Sequence, residues 1–249
     1  MSVRTKFDMY LAPPSRAVFA ALDDWMAPEI ADIENAGIEN AGTPAGDFLV
    51  GQVCGITLAT APAGRFHYLA TPVMDDAAVP RGHYNSLIIT PRESEIDRLA
   101  AFDPAHHRIA INEPGSFSGA ITFAAHLRQT TAHDVDRPLL SGGHLASIGM
   151  VAAGRAHLAA IDRVSFTLAG TACPDDVAGV RVIDETAFYP GLPFVADGAL
   201  SGEMAERLRT RLLDFRSHLA WHGMATILRL RDLTVLDAAD YDVMATVEG

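Results

Sequence analysis

The stretch from Ile109 to Ala120 holds the residues best suited to bind an anion. Ile109–Ile111 is a short apolar run that predicts a buried strand, and Pro114-Gly115 predicts a turn. Ser116 and Ser118 then stand at the N-cap and in the first turn of a predicted helix. Such a turn brings together free backbone N–H groups, two hydroxyls and the positive end of a helix dipole, which is the chemistry of an anion site. An ordinary capped helix without a ligand would show the same pattern.

The elements around this stretch alternate between strands and helices. The apolar patterns predict strands at 108–112, 139–140 and 158–162, and helices at 117–129, 143–154 and 164–169. Alternation at this spacing implies an α/β sheet with mostly parallel strands. The run 84–90 is apolar on both faces at its end, which predicts a sheet that is covered on both sides.

Further elements are predicted toward the chain ends. They are a strand at 7–11, helices at 14–27, 94–102 and 201–221, and strands at 47–55, 64–73, 180–183 and 194–195. The near-repeat of 33–37 in 38–42 indicates a local duplication in a surface loop. The tail 233–247 is expected to pack a short helix and Tyr241 back on the first part of the fold.

Composition and charge exclude several classes of protein. The chain has 249 residues, of which 49% are apolar and 20% charged, so a globular protein with a real core is expected. The net charge of −12 and the lack of a Lys/Arg block argue against nucleic acid and anionic membranes as partners. No stretch is long and apolar enough to span a membrane, so membrane insertion is not expected.

Cysteine and histidine usage gives no support for a metal or another cofactor. Cys54 and Cys173 form no CxxC pair, and two reduced thiols are favoured while a disulfide stays open. The ten histidines are scattered without an HExxH motif. Residues 1–26 lack the uninterrupted apolar core of a signal peptide. Either the native protein is cytosolic or the chain begins after a removed signal.

Five segments, in this order, resemble the phosphate/phosphite/phosphonate-type (PhnD-like) solute-binding proteins of ABC transporters. These segments are Asp47–Gly55, Ile109–Gly119, Ser141–Ser147, Val151–Asp162 and Pro190–Pro193. The resemblance covers about the whole chain and implies the type 2 periplasmic binding protein fold, an α/β fold with mixed, mostly parallel sheets flanked by helices. It implies two lobes, 1–88 with 186–249 and 89–185, and a ligand cleft between them. It also implies a periplasmic location, whereas the missing signal leaves the cytoplasm open.

The resemblance assigns the anion-binding role to the Ser-x-Ser-Gly helix start. The hydroxyls of Ser116 and Ser118 and the N–H groups of Ser118 and Gly119 would donate to the oxyanion, and Gly119 permits a close backbone approach. Phe117 departs from the small polar residue common at the middle position, so at most its backbone contributes.

Other candidate ligand residues follow from the same resemblance. His144 would face the cleft from a helix start, with filling that helix N-terminus as the alternative. Asp162 ends a strand and would accept a proton from an amine, from a P–O–H group or from His144, or else cap the next helix. The remaining candidates are Tyr10, Gln52, Cys54, Tyr84, Asn85 and Tyr189. No arginine or lysine falls at these positions, so a ligand of smaller charge, a zwitterion or a non-phosphorus ligand stays open.

The implied function is capture of a small polar or anionic solute for an ABC permease, by a monomer that does no chemistry. The first alternative is a cytosolic enzyme on the same fold, similar to some enzymes of menaquinone biosynthesis or to some decarboxylases. His144 and Asp162 would then be the acid/base pair. The second alternative is a cytosolic ligand sensor that has lost transport.

Overall fold

The computed structural model describes residues 5–10, 12–35 and 48–248. The chain divides into two compact units. Unit 1 holds the described residues of 1–83 and 190–245, and unit 2 holds 84–189 with the described residues of 246–249. This division places 84–88 and 186–189 in unit 2, whereas the predicted lobe boundaries placed them in lobe one. The two units are described separately below.

Short strands and helices alternate along the chain. The strands are β1 (Thr5–Lys6), β2 (Val50–Gln52), β3 (Phe66–Met74), β4 (His83–Tyr84), β5 (Ser86–Pro91), β6 (Ile109–Ile111), β7 (Leu139–Leu140), β8 (Leu158–Asp162), β9 (Val180–Glu185), β10 (Tyr189–Pro190), β11 (Phe194–Asp197) and β12 (Leu230–Thr234). The α-helices are α1 (Arg16–Asn35), α2 (Gly55–Ala59), α3 (Thr122–Thr131), α4 (His144–Ala152), α5 (Arg163–Ala172), α6 (Pro174–Ala178), α7 (Gly202–Asp214) and α8 (Leu219–Leu228). A π-helical turn at Phe117–Ile121 leads directly into α3. Within the described ranges, no helix combines the length and apolar character needed to cross a membrane.

Unit 1 is organised on a five-stranded sheet in the order β1-β2-β11-β3-β12. Helix α1 is longer than the predicted 14–27, because Ile30 and Ile33 continue its buried stripe to the second half of the helix. The predicted packing of the tail is confirmed, since Tyr241 is buried and its hydroxyl donates to the Gly191 carbonyl at 2.7 Å.

Unit 2 is organised on a second five-stranded sheet in the order β7-β6-β8-β5-β9. Strands β6, β7 and β8 run in parallel, so their carboxyl ends meet at one edge of the sheet. Strand β5 runs against β8, with Ser86 opposite Asp162, so β5 begins at this same edge. The candidate residues of unit 2 gather there.

The core of unit 2 lies on both faces of its sheet, as the apolar run 84–90 predicted. The consecutive residues Ile88 and Ile89 of β5 belong to opposite faces of the sheet. Ile88 packs in one cluster with residues such as Ile111 and Phe123. Ile89 packs in a second cluster with Ile148 and Val151 of α4. Burial on both faces fixes the strand register and therefore the position of the edge that carries the candidate site.

The prediction of mostly parallel sheets was wrong. Among the described strand pairs, β1–β2, β6–β7 and β6–β8 are parallel. Strands β5 and β11 are antiparallel to both of their neighbours. Each of these two strands comes shortly after the chain passes from one unit into the other. Neither strand is therefore reached from a neighbouring strand through a helix, which is the connection that makes two neighbouring strands parallel.

Several predicted elements also differ in extent. The first strand is Thr5–Lys6, and residues 9–10 of the predicted strand form a turn. The predicted helix 94–102 is reduced to a 3-10 turn at Leu99–Ala101, and the predicted helix 201–221 is split between α7 and α8 by a 3-10 turn. Part of the predicted surface loop, Ile33–Asn35, is helical, and 36–47 lie outside the described residues.

Candidate functional site

Ser116 caps the π-helical turn that precedes α3 at the carboxyl edge of the unit 2 sheet. Its Oγ accepts a hydrogen bond from the Gly119 N–H at 3.1 Å. Its carbonyl accepts from the N–H groups of Ala120 and Ile121, at 3.1 and 3.0 Å. The N–H groups of Phe117 and Ser118 lie in the first turn, where a helix has no internal acceptor for them. This turn therefore offers the N–H groups of Phe117 and Ser118 as backbone donors, whereas the Gly119 N–H, which was also predicted to donate to the ligand, is bonded to the Ser116 Oγ.

Ser118 is held by contacts on its backbone and on its side chain. The Ser118 carbonyl accepts hydrogen bonds from the hydroxyls of Ser86 and Thr122, at 2.9 and 3.3 Å. The Ser118 Oγ lies 3.0 Å from Nε2 of His144. The structure thus brings together the serine and the histidine that the sequence singled out from separate segments.

Gly119 has no room for a side chain. A Cβ at this position would lie 2.0 Å from Oδ1 of Asn112 and 3.1 Å from Cε1 of His144. The absence of a side chain therefore allows these two residues to close around the helix start. Asn112 was not among the predicted ligand residues, although its place directly after the strand Ile109–Ile111 marks the same sheet edge.

His144 is the first residue of α4 and follows the Gly142-Gly143 turn, in which Gly142 has a φ of +82°. Burial lowers the pKa of His144 from 6.5 to about 4, and the backbone of Ala160 opposes the shift in part. The imidazole is therefore neutral near pH 7. It can donate or accept one hydrogen bond at Nε2 but brings no positive charge to the site.

Asp162 caps a helix, which was the second of the two roles predicted for it. It is the N-cap of α5, and its Oδ1 accepts from the Ser165 N–H at 2.9 Å. The side-chain hydrogen bond described for His144 is the one with Ser118.

Tyr84 ends β4, Asn85 directly precedes β5, and both are buried. The Asn85 amide donates to Glu185 and to the Thr186 carbonyl, at 2.9 and 3.2 Å. Its Oδ1 accepts from Nε of Arg163 at 2.7 Å. Asn85 therefore ties β5, β9 and α5 together, and Arg163, the arginine next to Asp162, is engaged in this structural network.

Phe117 and Tyr189 contact each other. The two rings meet edge to face, with centroids 4.9 Å apart, and the Phe117 side chain is fully buried. Burial raises the pKa of the Tyr189 hydroxyl. The side chain of Phe117 thus belongs to the core, and a ligand contact through its backbone stays a prediction.

The three remaining candidates, Tyr10, Gln52 and Cys54, lie in unit 1. Tyr10 is in the turn after β1 and is buried. Gln52 ends β2 and donates from Nε2 to the Leu192 carbonyl at 3.1 Å. Cys54 precedes α2 and forms no disulfide with Cys173. In the ranges that the structure describes, no cluster of three or more His, Cys, Asp or Glu residues could hold a metal ion.

Comparison with protein families identifies a matching family model. The family model described as "ABC transporter, phosphonate, periplasmic substrate-binding protein" matches residues 51–242. This range contains residues 84–189 of unit 2 and most of unit 1. A search of curated proteins finds no match.

Solved structures share the fold at low sequence identity. PhnD1 from Prochlorococcus marinus, solved with methylphosphonate, has a TM-score of 0.74 at 12% identity and covers 98% of this chain and 96% of its own. A binding protein component of an ABC phosphonate transporter from Pseudomonas aeruginosa has a TM-score of 0.67 at 17% identity, and the match covers 96% of this chain and 82% of the Pseudomonas chain. A Xanthomonas citri protein bound to chloride has a TM-score of 0.67 at 16% identity, and the match covers 98% of this chain and 99% of the Xanthomonas chain. At these identities the likeness concerns the fold.

Proposed function

The chain belongs to the family of periplasmic substrate-binding proteins of phosphonate ABC transporters, and we propose that unit 2 binds a small phosphonate- or phosphite-type oxyanion at Ser116–Gly119. It is therefore a solute-binding protein, whose family partners are a small-molecule ligand and an ABC permease. The observation that carries the proposed ligand class is the first turn of the π-helical segment, with Ser116 and Ser118 on it.

This turn supplies several donors at one place. The N–H groups of Phe117 and Ser118 are available there, because they precede the hydrogen bonds that Ala120 and Ile121 make to the Ser116 carbonyl. The Ser116 hydroxyl can also donate, since its oxygen accepts from Gly119 and its proton is not needed for that bond. The helix that continues through α3 adds the positive end of its dipole.

His144 sets the role of the Ser118 hydroxyl. When the neutral imidazole donates from Nε2 to the Ser118 Oγ, the hydroxyl proton of Ser118 is left to donate to the ligand. The histidine thereby contributes a hydrogen bond without contributing charge.

A site made of neutral donors favours a ligand of small charge. The chain carries a net charge of −12, so the overall field opposes anions, and Arg163 at the same sheet edge is paired with Glu185. Local hydrogen bonds to an ionised oxygen have to supply the affinity. We therefore expect singly charged phosphonates and phosphite to bind more tightly than the phosphate dianion.

We further propose that the protein acts as a monomer and performs no reaction on its ligand. The acid/base role considered for His144 requires Asp162 as its partner, and Asp162 instead caps α5. Tyr10, Gln52, Cys54, Tyr84, Asn85, Asp162 and Tyr189 stay proposed ligand contacts, each to be tested by substitution.

Calorimetric titration of the purified protein with methylphosphonate, phosphite and phosphate tests this proposal. We expect saturable binding of at least one of the first two ligands, and binding about 10- to 100-fold weaker in Ser118→Ala, as for the loss of one hydrogen bond to a charged group. Absence of binding to all three ligands would contradict the proposed ligand class.

A further inference from the structure

Asn112, the residue after β6, lies between two other segments that border the proposed site. Its backbone carbonyl accepts from the Gly142 N–H at 2.9 Å, which ties it to the turn before α4. Its Oδ1 packs against Gly119 and would lie 2.0 Å from a Cβ at that position, so a larger residue there would require the Asn112 side chain to move. That same Cβ would be 3.1 Å from His144 Cε1, so Asn112, Gly119 and His144 adjoin one another.

The side-chain amide of Asn112 is held without internal hydrogen bonds. Its Oδ1 is buried and accepts no hydrogen bond from any described residue, an arrangement that costs about 1–3 kcal/mol. Unpaired buried groups in native proteins call for an explanation, of which a functional role is one. Oδ1 and Cγ are the Asn112 atoms that lie nearest to a Cβ at Gly119, and Nδ2 is not among the three atoms nearest to it. No described residue offers Nδ2 an acceptor.

We propose that Asn112 is a further ligand-binding residue, whose Nδ2 donates a hydrogen bond to an ionised oxygen of the bound oxyanion. The inference rests on the proposed function, because it adds a donor to that same site. An amide can supply this donor while the buried Oδ1 fixes its orientation, and it adds no charge. The site would then select ligands that present an ionised oxygen at Asn112 and reject esters in which that oxygen carries an alkyl group.

The test measures the affinity for methylphosphonate or phosphite, whichever binds the wild type more tightly, in Asn112→Ala and Asn112→Asp. Loss of the donor in Asn112→Ala is expected to weaken binding about 10- to 100-fold. Asn112→Asp replaces the donor by a carboxylate and is expected to bind more weakly still at about pH 8. Its deficit relative to Asn112→Ala is expected to shrink toward about pH 5, because protonation removes the repulsion.

Gln129→Glu is the matched control, since it makes the same amide-to-carboxylate change at an exposed position of α3 in the same unit. It is expected to bind as the wild type does. Thermal unfolding of each variant shows whether it is folded, and Asn112→Ala carries the test if Asn112→Asp does not fold.

The outcomes separate this inference from the proposed function. Wild-type affinity in both Asn112 variants would overturn the inference while the proposed function stands. Equal weakening in Asn112→Ala and Asn112→Asp at every pH would also overturn it, because Asn112 would then act through its packing on Gly119 alone. Failure of the wild type to bind any of the oxyanions would overturn the proposed function itself, and this inference with it.

Discussion

The Oγ of Ser118 and the Nε2 of His144 lie 3.0 Å apart and form a hydrogen bond between α4 and the first turn before α3. Burial keeps the imidazole neutral near pH 7, so either atom can be the donor in this bond. The direction of the bond decides whether the Ser118 proton points to the histidine or is available to a ligand. This relationship makes His144 part of the binding chemistry even though it carries no charge.

Replacing His144 tests this role. His144→Phe removes the nitrogen, and we expect the affinity for methylphosphonate or phosphite to fall about 10-fold or more. His144→Gln keeps an N–H that can reach a neighbouring oxygen, so its loss is expected to be smaller. Calorimetry at about pH 7.5 makes the comparison, and a loss in His144→Gln equal to or larger than that in His144→Phe would contradict the hydrogen-bonding role, because only glutamine keeps an N–H.

The lowered pKa of His144 predicts a loss of stability in acid. The unfolded chain takes up the proton near pH 6.5 and the folded protein near pH 4, so the free energy of unfolding falls as the pH drops between these values. Below about pH 4 the loss is complete and amounts to about 3 kcal/mol. Urea unfolding of the wild type and His144→Gln at several pH values measures it. The pKa of His157 is also lowered by burial, so the difference between the two proteins is the relevant quantity. Parallel pH profiles would contradict the assignment.

Gly119→Ala is expected to damage binding more than folding. The added Cβ would meet the end of the Asn112 side chain, which can shift, and would press on His144. We expect the affinity for methylphosphonate or phosphite to fall about 10-fold and the free energy of unfolding to change by less than about 1 kcal/mol, since alanine favours the helix. Gly170→Ala, in α5 with nothing within 4 Å of its Cβ, is the matched control and should leave affinity unchanged. Unchanged affinity in Gly119→Ala would contradict the described geometry.

A chain of hydroxyl hydrogen bonds in unit 1 predicts a second stability effect. Tyr241 donates to the Gly191 carbonyl at 2.7 Å, so Thr71 must donate to Tyr241 and Tyr68 must donate to Thr71. Tyr241→Phe removes the donor to the buried Gly191 carbonyl and the acceptor for the Thr71 proton, while Thr71 still accepts from Tyr68, and is expected to destabilise the protein by about 1–3 kcal/mol. Urea unfolding measures this change. Combination with Thr71→Val should be non-additive, and additive losses would contradict the continuous chain.

The sequence was informative wherever a residue pattern depends on local structure. The strand β5, apolar on both faces, and the serine cap at Ser116 were both found, because burial and capping leave a mark on neighbouring residues. The direction of β5 was not found, because antiparallel pairing depends on where the chain enters unit 2 and not on the residues of the strand.

The site was predicted in part for the same reason. Ser116, Ser118 and His144 were identified, and the structure places them together. Asn85 and Asp162 were named as ligand candidates, but their observed hydrogen bonds go to Arg163, Glu185 and Ser165. Asn112 was missed, because its relation to Gly119 is a packing contact between segments that no local pattern encodes.

The most direct test of the central claim is calorimetric titration of the double variant Ser116→Ala/Ser118→Ala with methylphosphonate and phosphite. Ser201→Ala, which removes the cap of α7 in unit 1, controls for the loss of a capping serine. We expect the double variant to unfold cooperatively and to bind neither ligand measurably, while Ser201→Ala binds as the wild type does. Wild-type affinity in the double variant would contradict the assignment of Ser116–Gly119 as the oxyanion site.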